Sequence, residues 1–159
     1  MPLENFFLAY GKQDRAQSEF VRSVRVPKLA PNERFRCYKI SKRFDQDISA
    51  VMGAFKIALD GARIAAARIA FGGMAATPSR APAAEAGLRG ADLGDPATWT
   101  AALQAIGQDF APISDLRASA GYRADVARAL LHKALTEIAG TPSQLTRVIG
   151  AREHAVAAG

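Results

Sequence analysis

Apolar and polar positions alternate through the first half of the chain and recur at helical spacing through the second. Residues 34–40, RFRCYKI, place Phe35, Cys37 and Lys39 on one side and Arg36, Tyr38 and Ile40 on the other, which predicts a strand. Residues 19–26, EFVRSVRV, also alternate, with Phe20, Arg22, Val24 and Val26 opposite Val21, Ser23 and Arg25. This predicts a further strand with no clean solvent face. Pro27, Pro31 and Asn32 punctuate the loop between the two. Residues 48–59 form a third strand candidate, Asp60-Gly61 is a dipeptide suited to a tight hairpin turn, and residues 63–71 return as a fourth strand. The alanines of that last segment favour helix by intrinsic propensity, but the hairpin and the following Gly72-Gly73 favour strand.

From residue 81 the period changes. Pro82 suits a first helical position, Ala84 and Leu88 stack four apart, and Gly90 stops the turn. Asp95 before Pro96 starts a second helix, on which Trp99, Leu103, Ile106 and Phe110 share a face until Pro112 ends it. Ser119 caps a third, whose broad apolar stripe comprises Tyr122, Val126, Leu130, Leu131, Ala134, Leu135 and Ile138 before Gly140. Residues 141–159 are weakly patterned, with a short helix expected near Gln144 to Glu153 and a frayed end. Strands segregated from helices predict an α+β domain: a three- to four-stranded antiparallel sheet followed by three helices packed on one face.

Composition narrows the class. The chain has 159 residues, 49% hydrophobic and 23% charged, which fits one globular domain rather than disorder. No apolar run approaches the ~18 residues of a membrane-spanning helix, and the first residues lack the pattern of a secretory signal. The single cysteine, Cys37, has no internal disulfide partner, so a reducing, cytoplasmic setting is expected. Lys and Arg total 21 against 15 Asp and Glu, a net charge of +6. The arginines are scattered and only Lys39 to Arg43 is a local cluster, so nucleic acid is not the expected partner.

Several chemistries lack their signatures. There is neither a GxGxxG after a strand nor a GxxxxGK[ST], and no nucleophile elbow. His132 and His154 are far apart and at no ligand spacing from each other or from Cys37, so no metal site is expected. His132 reads as a surface or packing residue and Cys37 as a small core residue. Gly72-Gly73 either turns the chain or admits a ligand close to the backbone. Asp115 and Arg117 form either an internal ion pair or cap before the last helix, or a ligand clamp.

Three ordered stretches carry more: YKISKRFDQDIS (38–49), ARIAFGGMAATPSRAP (67–82) and DFAPISDLRASAGYR (109–123). They closely resemble the C-terminal domain of the small, FAD-binding subunit of bacterial xanthine dehydrogenase, a domain shared with carbon monoxide dehydrogenase flavoproteins. ENFFLAYGK and SEFVRSVRVP resemble the last segment of the FAD-binding domain that precedes it. The resemblance implies that residues 1–30 end the FAD-binding domain, 31–140 form the flavoprotein C-terminal domain, and 141–159 are a tail. It implies a holoenzyme that hydroxylates purines at a molybdopterin on a separate large subunit and passes electrons through two 2Fe-2S clusters to FAD and then NAD.

The resemblance also assigns residues. Lys39 matches a flavin-contacting lysine, and a cation there stabilises negative charge as the ring is reduced. Val21 matches an apolar residue packed near the flavin. Lys42, Arg43, Asp45 and Asp47 match a loop beside the flavin that influences access of the electron acceptor. The Gly72-Gly73 turn and the 114–123 loop look structural. One cysteine cannot hold a 2Fe-2S cluster, and the main FAD-binding part has no counterpart in the sequence, so the expected partners are that part, the cluster-bearing part and the large subunit. The chain is expected to be inactive alone. The alternative is a purely structural or oligomerisation domain, self-associating and without a ligand.

Overall fold

A computed structural model describes residues 1–43 and 48–146. Its main sheet has four antiparallel strands in the order β3-β4-β5-β6: β3 (Glu33–Ile40), β4 (Val51–Asp60), β5 (Arg63–Gly72) and the short β6 (Ser79–Arg80). A separate two-stranded hairpin, β1 (Phe7–Ala9) and β2 (Lys12–Gln13), precedes it. Three helices follow: α1 (Pro82–Leu88), α2 (Thr100–Asp109) and α3 (Ala120–Ile138). α1 packs on β5, α3 packs on β4 and β3, and α2 joins the two helices. This is the predicted α+β arrangement.

The strand pattern sets which face is covered. On β4, Val51, Phe55 and Ile57 are buried towards the helices, while Met52, Ala54 and Lys56 alternate outwards. Gly61, with φ of 59°, takes the first position of the two-residue loop between Asp60 and Arg63. The register slips once: Leu59 pairs Ile64, but Ala58 pairs Ala66, so Ala65 is a bulge. The bulge switches the inward series on β5 from Ile64 to Ile69 and Phe71, all buried. Edge-to-face rings then link Phe55, Phe71 and Phe110 through 5.5 Å centroid separations, from the sheet to the end of α2.

Helix starts follow the capping logic with one addition. Asp95 accepts a hydrogen bond from Ala97 N–H at the head of a 3-10 turn, Pro96–Trp99, that leads into α2. The Ser119 hydroxyl oxygen accepts from Tyr122 N–H at 3.2 Å and caps α3. Ala81, before α1, has no capping side chain. The carboxylate of Asp109, at the end of α2, accepts from Ala83 N–H and Ala84 N–H at 2.9 Å each and caps α1 from outside.

Some expectations are corrected. Residues 19–26 form no strand: the segment is exposed and unpaired among the described residues, because alternation supplies a strand's faces but not a partner's hydrogen bonds. Cys37 is exposed rather than a core residue, because β3 turns its Tyr38 side, not its Cys37 side, to the helices. Tyr122 is 49% exposed, outside the buried stripe of α3. The third strand begins at Val51, not at residue 48. Of the helix expected near Gln144 to Glu153, a 3-10 turn spans Ser143–Thr146, and the remainder lies outside the described residues. His132 is exposed, with its ring edge-on to Trp99 at 5.8 Å. No helix among the described residues is long and apolar enough to cross a membrane.

Candidate functional site

The face of the sheet away from the helices is open, and its character changes along its length. At the far end Glu33, Lys56, Arg68 and Glu4 form ion pairs over it. At the near end the strands place Lys39 opposite Met52 and Met52 opposite Gly72, with Cys37, Ala54 and Ala70 in the next row. Lys39 and Cys37 are exposed; Met52, 43% exposed, stands between Lys39 and Gly72, while the floor of the next row, Ala54 and Ala70, is built from small residues. A methyl group added at Gly72 would meet only Met52 Cβ, at 3.8 Å, so the floor is open above it. A cation beside a largely apolar surface fits one side of a planar, electron-rich ring.

Past β3 the chain turns towards the loop that precedes α3. Lys42 Nζ donates to the Leu116 carbonyl at 3.2 Å. Here Tyr10, Lys42, Arg43, Ile48, Asp115, Leu116 and Arg117 line an open cleft of about 550 Å³. Tyr10, Ile48 and Leu116 expose apolar surface at its rim, and three cations face a single carboxylate among its described lining residues.

That carboxylate is engaged inwards. Asp115 accepts from Arg117 N–H at 2.9 Å, from Arg117 Nη2 at 2.7 Å, from Ala118 N–H at 3.2 Å and from Arg123 Nη2 at 2.6 Å. These donors, Arg117 foremost, hold its carboxyl well below the usual carboxylate range. Asp115 and Arg117 are thus an internal ion pair within a turn. Gly73, with φ of 81°, turns the chain so tightly that an added Cβ would lie 2.4 Å from the Ala50 carbonyl oxygen. The Gly72-Gly73 pair therefore has a turning role there.

The assigned residues fall in different places. Lys42 and Arg43 share the cleft, and Lys39 lies three residues earlier on the open face. Val21 is 55% exposed in the unpaired segment and is not part of the cleft lining. Asp45 and Asp47 lie outside the described residues. Sequence reading missed Tyr10, Ile48 and Leu116 as cleft residues, since Ile48 and Leu116 are lone apolar residues in loops and Tyr10 ends an apolar run, 6–10, that does not say what it faces. It also missed a polar cluster behind the sheet. Buried Glu137 accepts from Tyr38 Oη at 2.9 Å, Arg36 Nε at 3.2 Å and Thr146 Oγ1 at 2.5 Å, and pairs with Lys133 Nζ at 2.8 Å. Burial opposes its charge, but Lys133, Thr146 and Tyr38 together outweigh it and hold the carboxyl down to about 2. Burial, followed by the bond to Glu137, pushes the Tyr38 phenol up.

Comparison with known proteins agrees with this architecture. Residues 36–138 match the family described as the CO dehydrogenase flavoprotein C-terminal domain. Xanthine dehydrogenase of Emericella nidulans is 35% identical over 112 residues, covering 69% of this chain and 8% of that protein. A solved carbon monoxide dehydrogenase from Hydrogenophaga pseudoflava, lacking the Mo-pyranopterin moiety of its molybdenum cofactor, superposes with a TM-score of 0.75 at 28% identity. It covers 83% of this chain and 45% of its own. Quinoline 2-oxidoreductase from Pseudomonas putida 86 gives 0.59 at 27% identity, covering 69% and 38%. The chain therefore spans less than half the length of these solved chains and under a tenth of the curated xanthine dehydrogenase. A match over most of the α+β unit, joined to the superposition on a solved carbon monoxide dehydrogenase chain, means that the chain belongs to the CO dehydrogenase flavoprotein C-terminal domain family.

Proposed function

We propose that this chain forms one wall of an FAD site in a molybdenum hydroxylase of the xanthine dehydrogenase type. The observation that carries this reading is the position of Lys39: exposed, at the end of β3, on the open face it shares with Met52, Ala54, Ala70 and Gly72. Those residues fit a planar ring with an anionic edge. They do not fit its diphosphate, for which the sequence has no glycine-rich loop. The diphosphate is left to a separate FAD-binding part, which residues 1–30 would join to the domain of residues 31–140.

Bound FAD would supply electron transfer between the 2Fe-2S clusters and NAD. Each remaining role belongs to a side chain of this protein. The Lys39 ammonium would stabilise negative charge at the pyrimidine edge of the ring. Val21 would pack beside the ring. Lys42 and Arg43, with Asp45 and Asp47 of the same loop, would set the local charge met by the electron acceptor. Purine hydroxylation, the molybdopterin and the clusters belong on this reading to partner subunits, so the isolated chain turns nothing over. The reading places the enzyme in the cytoplasm.

The test is Lys39→Ala in the complete flavin-containing protein. Reduction or reoxidation of FAD is expected to slow by roughly tenfold or more, with melting unchanged because a strand-end lysine contributes little stability. Unchanged flavin kinetics would overturn the assignment.

A further inference from the structure

We propose that Arg123 is a positioning residue for Lys42 and for the end of β3 that carries Lys39, acting through the backbone and Asp115 without touching a ligand. The proposal rests on the flavin-site reading for its functional meaning, and on the geometry alone for the positioning.

Arg123 lies in the first turn of α3 and is 1% exposed. Its guanidinium joins three segments that are remote in sequence. Nη1 donates to the Ala50 carbonyl at 2.7 Å and to the Gly73 carbonyl at 2.6 Å, while Nη2 donates to Asp115 Oδ1 at 2.6 Å. Two of these acceptors lead towards the candidate site. Ala50 N–H donates to the Ile40 carbonyl at 2.8 Å, so the residue held by Arg123 is bonded to the one that follows Lys39. Asp115 closes the turn over Arg117 and Ala118, and that turn presents the Leu116 carbonyl to Lys42 Nζ at 3.2 Å.

The chemistry suits a geometric role. Burying a guanidinium costs desolvation that its ion pair at best offsets, and an apolar side chain often stabilises as well. What the planar fork adds is fixed direction: two nitrogens aimed at three acceptors. The fit is close, since a Cβ at Gly73 would clash with Ala50 and lie 3.2 Å from Nη1. Arg123 Nε, buried, has no partner among the described residues, so the guanidinium is set by its Nη contacts. Arg123 is kept away from solvent and reaches the site only through the groups it holds.

The test is Arg123→Lys in the complete flavin-containing protein. An ammonium keeps the charge but cannot span all three acceptors. Hydrogen exchange is expected to rise about tenfold or more at residues 39–43 and 114–118, and to stay unchanged at residues 79–90, around α1. Reoxidation kinetics are expected to show a raised KM for the electron acceptor, by roughly tenfold, with a smaller change in kcat. The part of the effect that runs through Asp115 should vanish in a Lys42→Ala background, leaving only what passes through Ala50 to the end of β3, so the two losses combine to less than their sum. If Arg123→Lys does not fold, Asp115→Asn, which leaves the contacts to Ala50 and Gly73, takes the same measurements. Exchange that is unchanged or rises everywhere, or kinetic losses that simply add, overturns the positioning role. A local rise in exchange with Lys39→Ala and Lys42→Ala both inert towards flavin kinetics keeps the positioning and overturns the flavin-site reading.

Discussion

The Tyr38 hydroxyl donates a 2.9 Å hydrogen bond to Glu137 Oε2 and ties the middle of β3 to the last turn of α3. A carboxylate at a helix C-terminus opposes the helix dipole, so the cations and hydroxyls around Glu137 must outweigh that term. They do: its carboxyl is held at about 2, against an ordinary 4.5. A depressed folded-state pKa stabilises fully above the ordinary value and loses that contribution as pH falls towards the depressed one. Glu137→Gln is therefore expected to destabilise at pH 7 by on the order of 2 kcal/mol. The gap from the unchanged protein should close between pH 4.5 and 2. Urea unfolding across that range measures it, and a gap independent of pH would show that the charge on Glu137 is not what stabilises the contact.

The pattern of β3, β4 and β5 was readable because one face is covered and Asp60-Gly61 marks the hairpin. Other features were hidden for stated reasons. Alternation in 34–40 separates Cys37 from Tyr38 but does not say which side meets the helices; the packing of α3 on β3 decides that. The same alternation in 19–26 came without a partner strand among the described residues. The bulge at Ala65 leaves no mark in a run of alanines. For the candidate site, the cluster from Lys39 to Arg43 stood out as charge, whereas Arg123 reads as one more helical arginine. Only the approach of Ala50, Gly73 and Asp115 reveals what it holds.

The two turn glycines of the sheet are expected to differ. Gly61 has φ of 59° and nothing within 4 Å of an added Cβ, so Gly61→Ala meets only the backbone penalty of about 1–2 kcal/mol. Gly73 adds to a positive φ a collision with the Ala50 carbonyl oxygen at 2.4 Å, on the segment that Arg123 grips. Gly73→Ala should cost well over ~2 kcal/mol more than Gly61→Ala, because backbone must move. Melting temperatures of the two variants decide it, and equal losses would mean that the Ala50 to Gly73 approach yields freely.

The cap supplied by Asp109 gives a prediction that local sequence rules do not. Its carboxylate receives the N–H groups of Ala83 and Ala84 at the positive end of α1, from the far end of α2. Asp109→Ala should lower stability by about 1–2 kcal/mol, the ordinary value of an N-cap. Asp109→Asn, which retains one acceptor, should fall between. Thermal unfolding of the three proteins orders them, and an alanine variant as stable as the parent would show that α1 needs no partner at its start.

Cys37 offers a direct probe of the face assigned to the flavin. It is exposed on the open side of β3, two residues from Lys39 and opposite Ala54, and no other cysteine occurs in the chain. If a planar cofactor lies over Lys39, Ala54 and Ala70, its ring shields the thiol. Alkylation by iodoacetamide should then be slowed about tenfold or more in the FAD-loaded protein relative to the same protein stripped of FAD. Lys39→Ala should restore part of the reactivity by loosening the ring without touching the thiol. Mass spectrometry of the peptide containing Cys37 gives both rates from one digest. Equal rates with and without FAD would place the flavin elsewhere and leave this face to another partner.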